Sequence, residues 1–414
     1  MIFLYNFILL FSIPFVFFYL LKKGGVKERL GFILPGKKRG IWIHAVSVGE
    51  VKAAEPVIKL LRKNLPETPI FLSTVTSTGR EVARKSLGKW VDYLFYFPLD
   101  FPFSVIKVIF SLRPRLIILM ETELWPNLLY FSHYFSVPII LANGRLSPAS
   151  FRNYSRFSFF LKPFLAYFSS ILVQTERDKK GFLKLGFPGQ LLKVVGNTKF
   201  DHYSLPSPSG KDSLPASSPP DVYPVICAGS THPPEEKLIL RIFRKVKEEY
   251  PGAKLILAPR HPERVKEVEK LIPASFSYVL RTEMSSREWS ETILILNTVG
   301  ELQNFYSLAD VAIMGGTFVP VGGHNPLEPL FHRVPVIFGP HVFNFSEIFS
   351  LIEGRGGIKV DNEEELEKVL LAWLRKRNDL EREGEKGYHL IAKNRGASER
   401  IWEEVKAVVS SRER

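Results

Sequence analysis

His44-Ala45-Val46-Ser47-Val48-Gly49-Glu50 joins an apolar run, Ile41 to His44, to an amphipathic stretch that reads as a helix from Val51 to Leu61. A carboxylate at such a start lies in the favourable field of the helix dipole. Glu50 there either caps the first turn or, with water excluded, serves as a general base toward an alcohol. Gly49 lets a ligand approach the backbone closely. A second cluster, Met120 to Asn127, again follows an apolar run. Glu121 and Glu123 beside Trp125 suit contacts with a polyhydroxylated ring or an acceptor; they equally suit the start of a helix with Pro126 in its first turn. Arg145, in Asn143-Gly144-Arg145 after the next run, is a cation suited to a phosphate or carboxylate of an acceptor.

The second half of the chain carries a different set. Gly229-Ser230-Thr231-His232 precedes a helix and offers free amides and hydroxyls to an anion. In Pro259-Arg260-His261-Pro262-Glu263-Arg264, Arg260 either clamps a phosphate with both arms of its guanidinium or closes a structural salt bridge. Val299-Gly300-Glu301-Leu302 opens a further helix, and Gly315-Gly316-Thr317 follows an apolar run. The segment Gly322 to Pro329 is a glycine-rich loop entering a helix whose early turn carries Glu328. That carboxylate suits the two hydroxyls of a ribose, and the amides around Asn325 suit phosphate or carboxylate oxygens. The sequence contains no G-x-G-x-x-G, no Walker sequence, no H-E-x-x-H and no G-x-S-x-G. These absences argue against a dinucleotide fingerprint, a zinc site and a serine hydrolase, so neither metal nor cofactor is expected.

Such residues need strands to hold them. Ile41–His44, Ile70–Ser73, Arg115–Met120, Val137–Ala142 and Ile171–Gln174, the last after a long helix, alternate with helical segments. The rhythm restarts with Val222–Cys227, a helix from Pro233 to Tyr250, Ala253–Ala258, Thr292–Leu296, Val311–Met314 and Val334–Phe338. Uninterrupted apolar runs separated by helices predict parallel sheets covered on both faces. Residues 204–220 hold six Ser and five Pro in 17 positions without hydrophobic periodicity, which reads as a linker. The expected organisation is a membrane anchor over 1–22, an acceptor-binding α/β domain over 23–203, a linker over 204–221, and a second α/β domain over 222–414 whose last helix is a candidate to return to the first. Two doubly wound domains present the carboxyl ends of their strands to a cleft.

The chain has 414 residues, ample for two domains, and 56 Lys and Arg against 42 Asp and Glu give a net charge of +14. Its surface should attract anionic partners. The polar motifs follow strands rather than forming a continuous basic stripe, which argues against nucleic acid. Cys227, the single cysteine, lies in an apolar run and excludes a disulfide framework. Ile2 to Leu21 is almost wholly apolar and is followed by Lys22, Lys23, Lys27 and Arg29. This predicts a helix that crosses the bilayer or lies in its interface, with the remaining chain on the cytoplasmic side. The 33 Phe concentrate there and around residues 151–168, where they interleave with basic residues, as suits a membrane surface.

Taken in order, HAVSVGE, METELWPN, Gly196-Asn197-Thr198-Lys199-Phe200-Asp201, GSTHPPEE, PRHPER, TVGEL and GGTFVPVGGHNPLEP closely resemble the bacterial 3-deoxy-D-manno-oct-2-ulosonic acid (Kdo) transferases of lipopolysaccharide synthesis. The resemblance covers nearly the whole chain. It implies the GT-B fold, a CMP-Kdo donor, a lipid A precursor as acceptor, and inversion at the anomeric carbon, at the cytoplasmic face of an inner membrane. Glu50 matches the family's general base. Pro259 and Arg260, Val299, Gly300 and Glu301, and Asn325, Pro326, Leu327 and Glu328 match its CMP-contacting segments. The fold argument by itself fits a transferase or epimerase acting on a UDP-sugar equally well.

Overall fold

Uniformly apolar runs become strands buried on both faces. The computed structural model describes residues 1–22, 24–201, 222–284 and 289–410; the expected linker lies outside them. The first sheet comprises β1 (Ile41–His44), β2 (Ile70–Thr74), β3 (Tyr93–Tyr96), β4 (Leu116–Met120), β5 (Ile139–Gly144), β6 (Ser170–Val173) and β7 (Leu192–Val194), in the order β3-β2-β1-β4-β5-β6-β7. The second comprises β8 (Val225–Thr231), β9 (Lys254–Pro259), β10 (Tyr278–Leu280), β11 (Ile293–Ile295), β12 (Val311–Met314), β13 (Val336–Phe338) and β14 (Gly357–Lys359), in the order β10-β11-β9-β8-β12-β13-β14. Every pairing is parallel.

In each sheet the chain first fills one side and then crosses to the other; the first sheet runs outward strand by strand, while in the second β11 inserts between β9 and the edge strand β10. The reversal falls between β1 and β4 in the first sheet and between β8 and β12 in the second. Open sheets of this kind bind ligands outside the carboxyl ends of the strands at that reversal.

The chain divides into two units, Met1–His202 with Asn394–Arg414, and Tyr203–Lys393. The second unit therefore stops short of residue 414. The helix Ala397–Ser410 buries Ala397, Ile401 and Val405 on one side, and the latter two join Val57, Ile58 and Leu61 in a core of the first unit. Asp201 fixes its start by accepting the Gly396 and Ser398 N–H groups at 2.7 and 2.6 Å. The helix Val48–Asn64 buries Val51, Ala54, Ile58 and Leu61 at helical spacing against that core. Truncating Leu61 to alanine would cost about 2–5 kcal/mol.

Two local expectations change. The long helix before β6 is two helices, Pro148–Arg156 and Ser158–Leu165, because Phe157 between them leaves helical geometry at φ −109 and ψ 12. The helix expected over residues 1–22 begins inside the first unit. Among the described residues no helix is long and apolar enough to cross a membrane. The helix Ile2–Lys22 is instead tied to the first unit by its opening turns. Ile2 enters that unit's core, the Tyr5 hydroxyl donates to Asp100 at 3.0 Å, and Asn6 accepts from the Asn127 side chain at 2.7 Å.

Candidate active site

Glu50 lies in the first turn of Val48–Asn64, directly beyond β1. Its Oε2 accepts the Val46 N–H at 2.7 Å and its Oε1 accepts the Ser47 hydroxyl at 3.2 Å, so the carboxylate folds back over its own loop. It is buried, and burial pushes its pKa up to about 8; the Val46 N–H opposes this, while the charges of Glu123 and Glu121 add to it. A buried carboxylate that resists ionisation is a stronger base once ionised. His44, which ends β1, belongs to the core. Burial pushes it down to about 3, its ring stacks on Phe97 at 3.9 Å, and its Nδ1 lies 2.9 Å from the Ser73 hydroxyl.

The structure brings Glu121 and Glu123 into electrostatic range of Glu50. The helix beyond them begins only at Pro126, so both carboxylates belong to the loop at the end of β4. Glu121 is held at φ 55. A side chain in that left-handed region costs about 1–2 kcal/mol and marks a backbone fixed by its surroundings. Its carboxylate sits between Arg145 (Nε to Oε2, 2.9 Å) and Lys199 (Nζ to Oε1, 3.7 Å). The guanidinium expected to meet a phosphate thus holds an internal carboxylate. Burial pushes Glu123 up to about 7, the Trp125 indole opposes this, and Glu121 adds to it. Tyr154 donates to the Thr122 carbonyl at 3.1 Å and is itself pushed up to about 12, by burial first and then by Glu123.

Lys199 had no role assigned from sequence. It is placed by a polar lattice: Asn143 accepts the Thr198 N–H at 3.0 Å, Asn197 accepts the Lys199 N–H at 2.9 Å, and Gln174 joins the Asn197 side chain to the Asn143 carbonyl. Asn143, at φ 57, lies in a register shift between Leu141 and Gly144 of β5. Ser230, also at φ 57, lies in a matching shift between Gly229 and Thr231 of β8. Such bulges re-aim the residues that follow a strand.

Beyond β8 the acidic residues turn inward. Glu235 accepts the N–H groups of His232 (2.8 Å), Gly316 (2.8 Å) and Phe318 (3.0 Å), bracing the loop after β8 to the loop after β12. Glu236, wholly buried, accepts the Thr231 hydroxyl at 3.0 Å and Arg264 at 3.1 Å. Arg264 therefore makes the salt bridge that Arg260 alone was weighed for. Pro259 closes β9, while Arg260 is exposed and pairs with no carboxylate among the described residues. Val299 is 85% exposed beside Gly300 at φ 90, and Glu301 accepts from Arg281 at 3.1 Å and from Thr298. Asn325 caps Leu327–Phe331 by accepting the Leu327 N–H at 3.1 Å; Pro326 and Leu327 are buried and Glu328 is half-buried. The helices that start after Glu301 and Pro326 have four and five residues. Among the described residues no group of three His, Cys, Asp or Glu is placed to hold a metal ion.

A family model described as 3-deoxy-D-manno-octulosonic-acid transferase (kdotransferase) matches residues 24–202. The 3-deoxy-D-manno-octulosonic acid transferase of Haemophilus influenzae is 38% identical over 381 residues, covering 90% of this chain and 89% of its own. That of Aquifex aeolicus is 32% identical, covering 80% of this chain and 85% of its own. The crystal structure of UDP-GlcNAc 2-epimerase from Neisseria meningitidis superposes with a TM-score of 0.56 at 12% identity, covering 89% of this chain and all of that one, a likeness of fold alone. The chain belongs to the 3-deoxy-D-manno-octulosonic acid transferase family.

Proposed function

We infer that this protein is an inverting glycosyltransferase of the GT-B type that moves Kdo from CMP-Kdo to a lipid A precursor and releases CMP, in lipopolysaccharide core synthesis. One observation carries the mechanism: a buried carboxylate, Glu50, with its pKa raised by burial, at the reversal of the first sheet in a chain of this family. As the anomeric carbon of Kdo leaves the CMP phosphate, positive charge grows on the sugar and negative charge on the phosphate. The acceptor oxygen attacks the opposite face of that carbon, Glu50 takes its proton, and the electron pair of the broken bond goes to the phosphate. A single displacement inverts the centre. Arg260, exposed and paired with no carboxylate among the described residues, suits the phosphate. Pro259, the Val299–Glu301 turn and the Asn325–Glu328 segment complete the donor-binding set, and Glu121, Glu123 and Arg145 the acceptor side. The family favours this reading over a UDP-sugar enzyme.

The acceptor's lipid nature fits a membrane-facing surface. Phe3, Phe11 and Phe159 are 84%, 68% and 81% exposed, and the Tyr5 and Phe160 rings, 5.9 Å apart, join the first helix to Ser158–Leu165. Exposed Arg152, Arg156 and Lys162 interleave with these aromatics. Exposed aromatics among cations suit an interface carrying anionic headgroups. The protein is placed on the cytoplasmic face of the inner membrane by this reading, and co-flotation with anionic but not neutral vesicles tests it.

The activity is tested by incubating the detergent-solubilised protein with fresh CMP-Kdo and a tetraacylated, bisphosphorylated lipid A precursor, with products read by mass spectrometry. Mass gains in whole Kdo units that depend on Glu50 are expected. Intact substrates alongside demonstrably folded protein would overturn the reading.

A further inference from the structure

The reversal of the second sheet holds a constellation that the reaction as derived leaves unused. His232 follows β8, and His324 lies on the glycine-rich segment after β12. Their Nε2 atoms are 2.9 Å apart, with the rings parallel to within 2°. Two imidazole nitrogens at that distance share one proton: one donates N–H and the other accepts through its lone pair. His261, after β9, stands edge-on to His232 with centroids 5.8 Å apart. Three strands thus deliver three imidazoles to the place where a sheet of this topology receives its ligand.

The contact is built rather than incidental. The His232 N–H is held by Glu235, which also holds the Gly316 and Phe318 N–H groups. A Cβ at Gly316 would come within 3.2 Å of the His324 ring, and φ 69 there favours glycine, so the ring lies directly against the end of β12. Around the pair the charge is mostly positive. Burial first, then His261, Arg260 and Arg264, disfavour a proton on His232, and the Glu236 carboxylate favours one. Glu263 faces His261 at 3.3 Å, and Glu328 follows on the helix after His324. A second proton on the pair meets this cationic wall unless an anion arrives with it.

We propose that His232 and His324 are the seat of the donor's anionic group, a phosphate or carboxylate oxygen, which binds with uptake of one proton so that each ring donates Nε2–H to the anion in place of their mutual bond. The proposal rests on the reading of this unit as a CMP-sugar binder. The proton comes from solvent and returns to it when the product leaves; no covalent bond changes.

The experiment is calorimetric titration of the full-length, detergent-solubilised protein in two buffers of different ionisation enthalpy, which counts protons exchanged on binding. Near-unit proton uptake is expected with CMP-Kdo, whose phosphodiester does not itself titrate near neutrality, and affinity should weaken by about tenfold per pH unit above the pair's titration. At about pH 8, where the CMP monoester is itself fully ionised, uptake with CMP but not cytidine assigns the seat to the phosphate; uptake with CMP-Kdo but not CMP assigns it to the sugar carboxylate. His232→Gln and His324→Gln keep an N–H donor but cannot take the proton, so each should bind the donor with uptake lost. Uptake that persists in both folded variants overturns the proposal, as does binding of CMP-Kdo and CMP by the wild type with no proton exchanged. A wild type that transfers Kdo without uptake removes the histidine pair alone. A folded wild type that binds neither nucleotide removes the CMP-sugar reading and the proposal with it.

Discussion

The two sheets share strand number, parallel pairing and the place of reversal, yet the reversals carry opposite chemistry. Beyond β1 and β4 stand three glutamates, two of them pushed up to about 8 and about 7, and the nearby cations Arg145 and Lys199 are held by the third. Beyond β8, β9 and β12 stand Arg260 and three histidines, while Glu235 and Glu236 face inward onto backbone N–H groups, Thr231 and Arg264. The scaffold is therefore neutral as to chemistry, and the few residues after each strand decide it. Crowded, buried carboxylates favour holding a proton; an exposed arginine beside imidazoles favours an anion. Glycosyl transfer needs both, because an alcohol must lose a proton while a phosphate departs with its charge.

The contrast breaks most sharply at Glu50. Glu50→Gln should lower transfer by about 10²–10⁴-fold, as loss of a general base does, with CMP affinity by calorimetry unchanged. A parallel loss of CMP binding would reduce the carboxylate to a brace for the loop it folds over. Arg260→Ala should act in the other unit, weakening CMP binding by about 10- to 100-fold, the scale of a charged hydrogen bond, and unaltered affinity would end its assignment to the phosphate. The pH profile sharpens the comparison further. A base works ionised, and with the Glu50 pKa at about 8 the free enzyme's kcat/KM should rise with pH and level off above that value. Glu123→Gln removes a repelling charge and should move the midpoint to lower pH; an unmoved midpoint would mean the two carboxylates do not interact. Because the folded state holds Glu50 protonated to higher pH than the unfolded chain does, ionising it costs stability. Wild-type stability should therefore fall between the ordinary glutamate range and about pH 8, and Glu50→Gln should flatten that slope.

The sheet interiors were legible because buried parallel strands are uniformly apolar. The unforeseen strands are β3, β7, β10 and β14, the two edges of each sheet. An edge strand has one neighbour and is only partly buried, so Leu-Lys-Val and Gly-Ile-Lys each carry a lysine, while Tyr-Leu-Phe-Tyr and Tyr-Val-Leu are short runs whose tyrosines stay partly exposed. The break at Phe157 and the docking of Tyr5 and Asn6 depend on what those residues meet, which periodicity does not record. Glu50, Glu121 and Arg260 could be picked out because each closely follows an apolar run. Lys199 reaches Glu121 only through the lattice around Asn143, and His232 meets His324 across 92 positions of sequence. Their only sequence signal is membership of polar motifs that also follow strands.

The smallest expected effect concerns a feature that only the first unit has, a tie from its carboxylate loop to the first helix. Asp100 accepts the Asn127 and Leu128 N–H groups at 3.0 Å each, at the start of the helix that follows Glu121 and Glu123, and the Tyr5 hydroxyl also at 3.0 Å. Burial pushes Asp100 up to about 7, against the pull of all three donors. Tyr5→Phe removes the donor contributed by the first helix. Its cost, about 0.5–1.5 kcal/mol, should be expressed mainly above pH 7, where the carboxyl is ionised and needs every donor, and should shrink below it, where the proton on Asp100 lessens that need. Denaturant unfolding on either side of pH 7 measures the difference, and an equal cost on both sides would cut the link between Tyr5 and the ionised carboxylate. If the tie also holds the carboxylate loop in place, the acceptor KM should rise by a small factor in Tyr5→Phe while CMP affinity stays unchanged, because the residues proposed to bind the donor lie in the other unit.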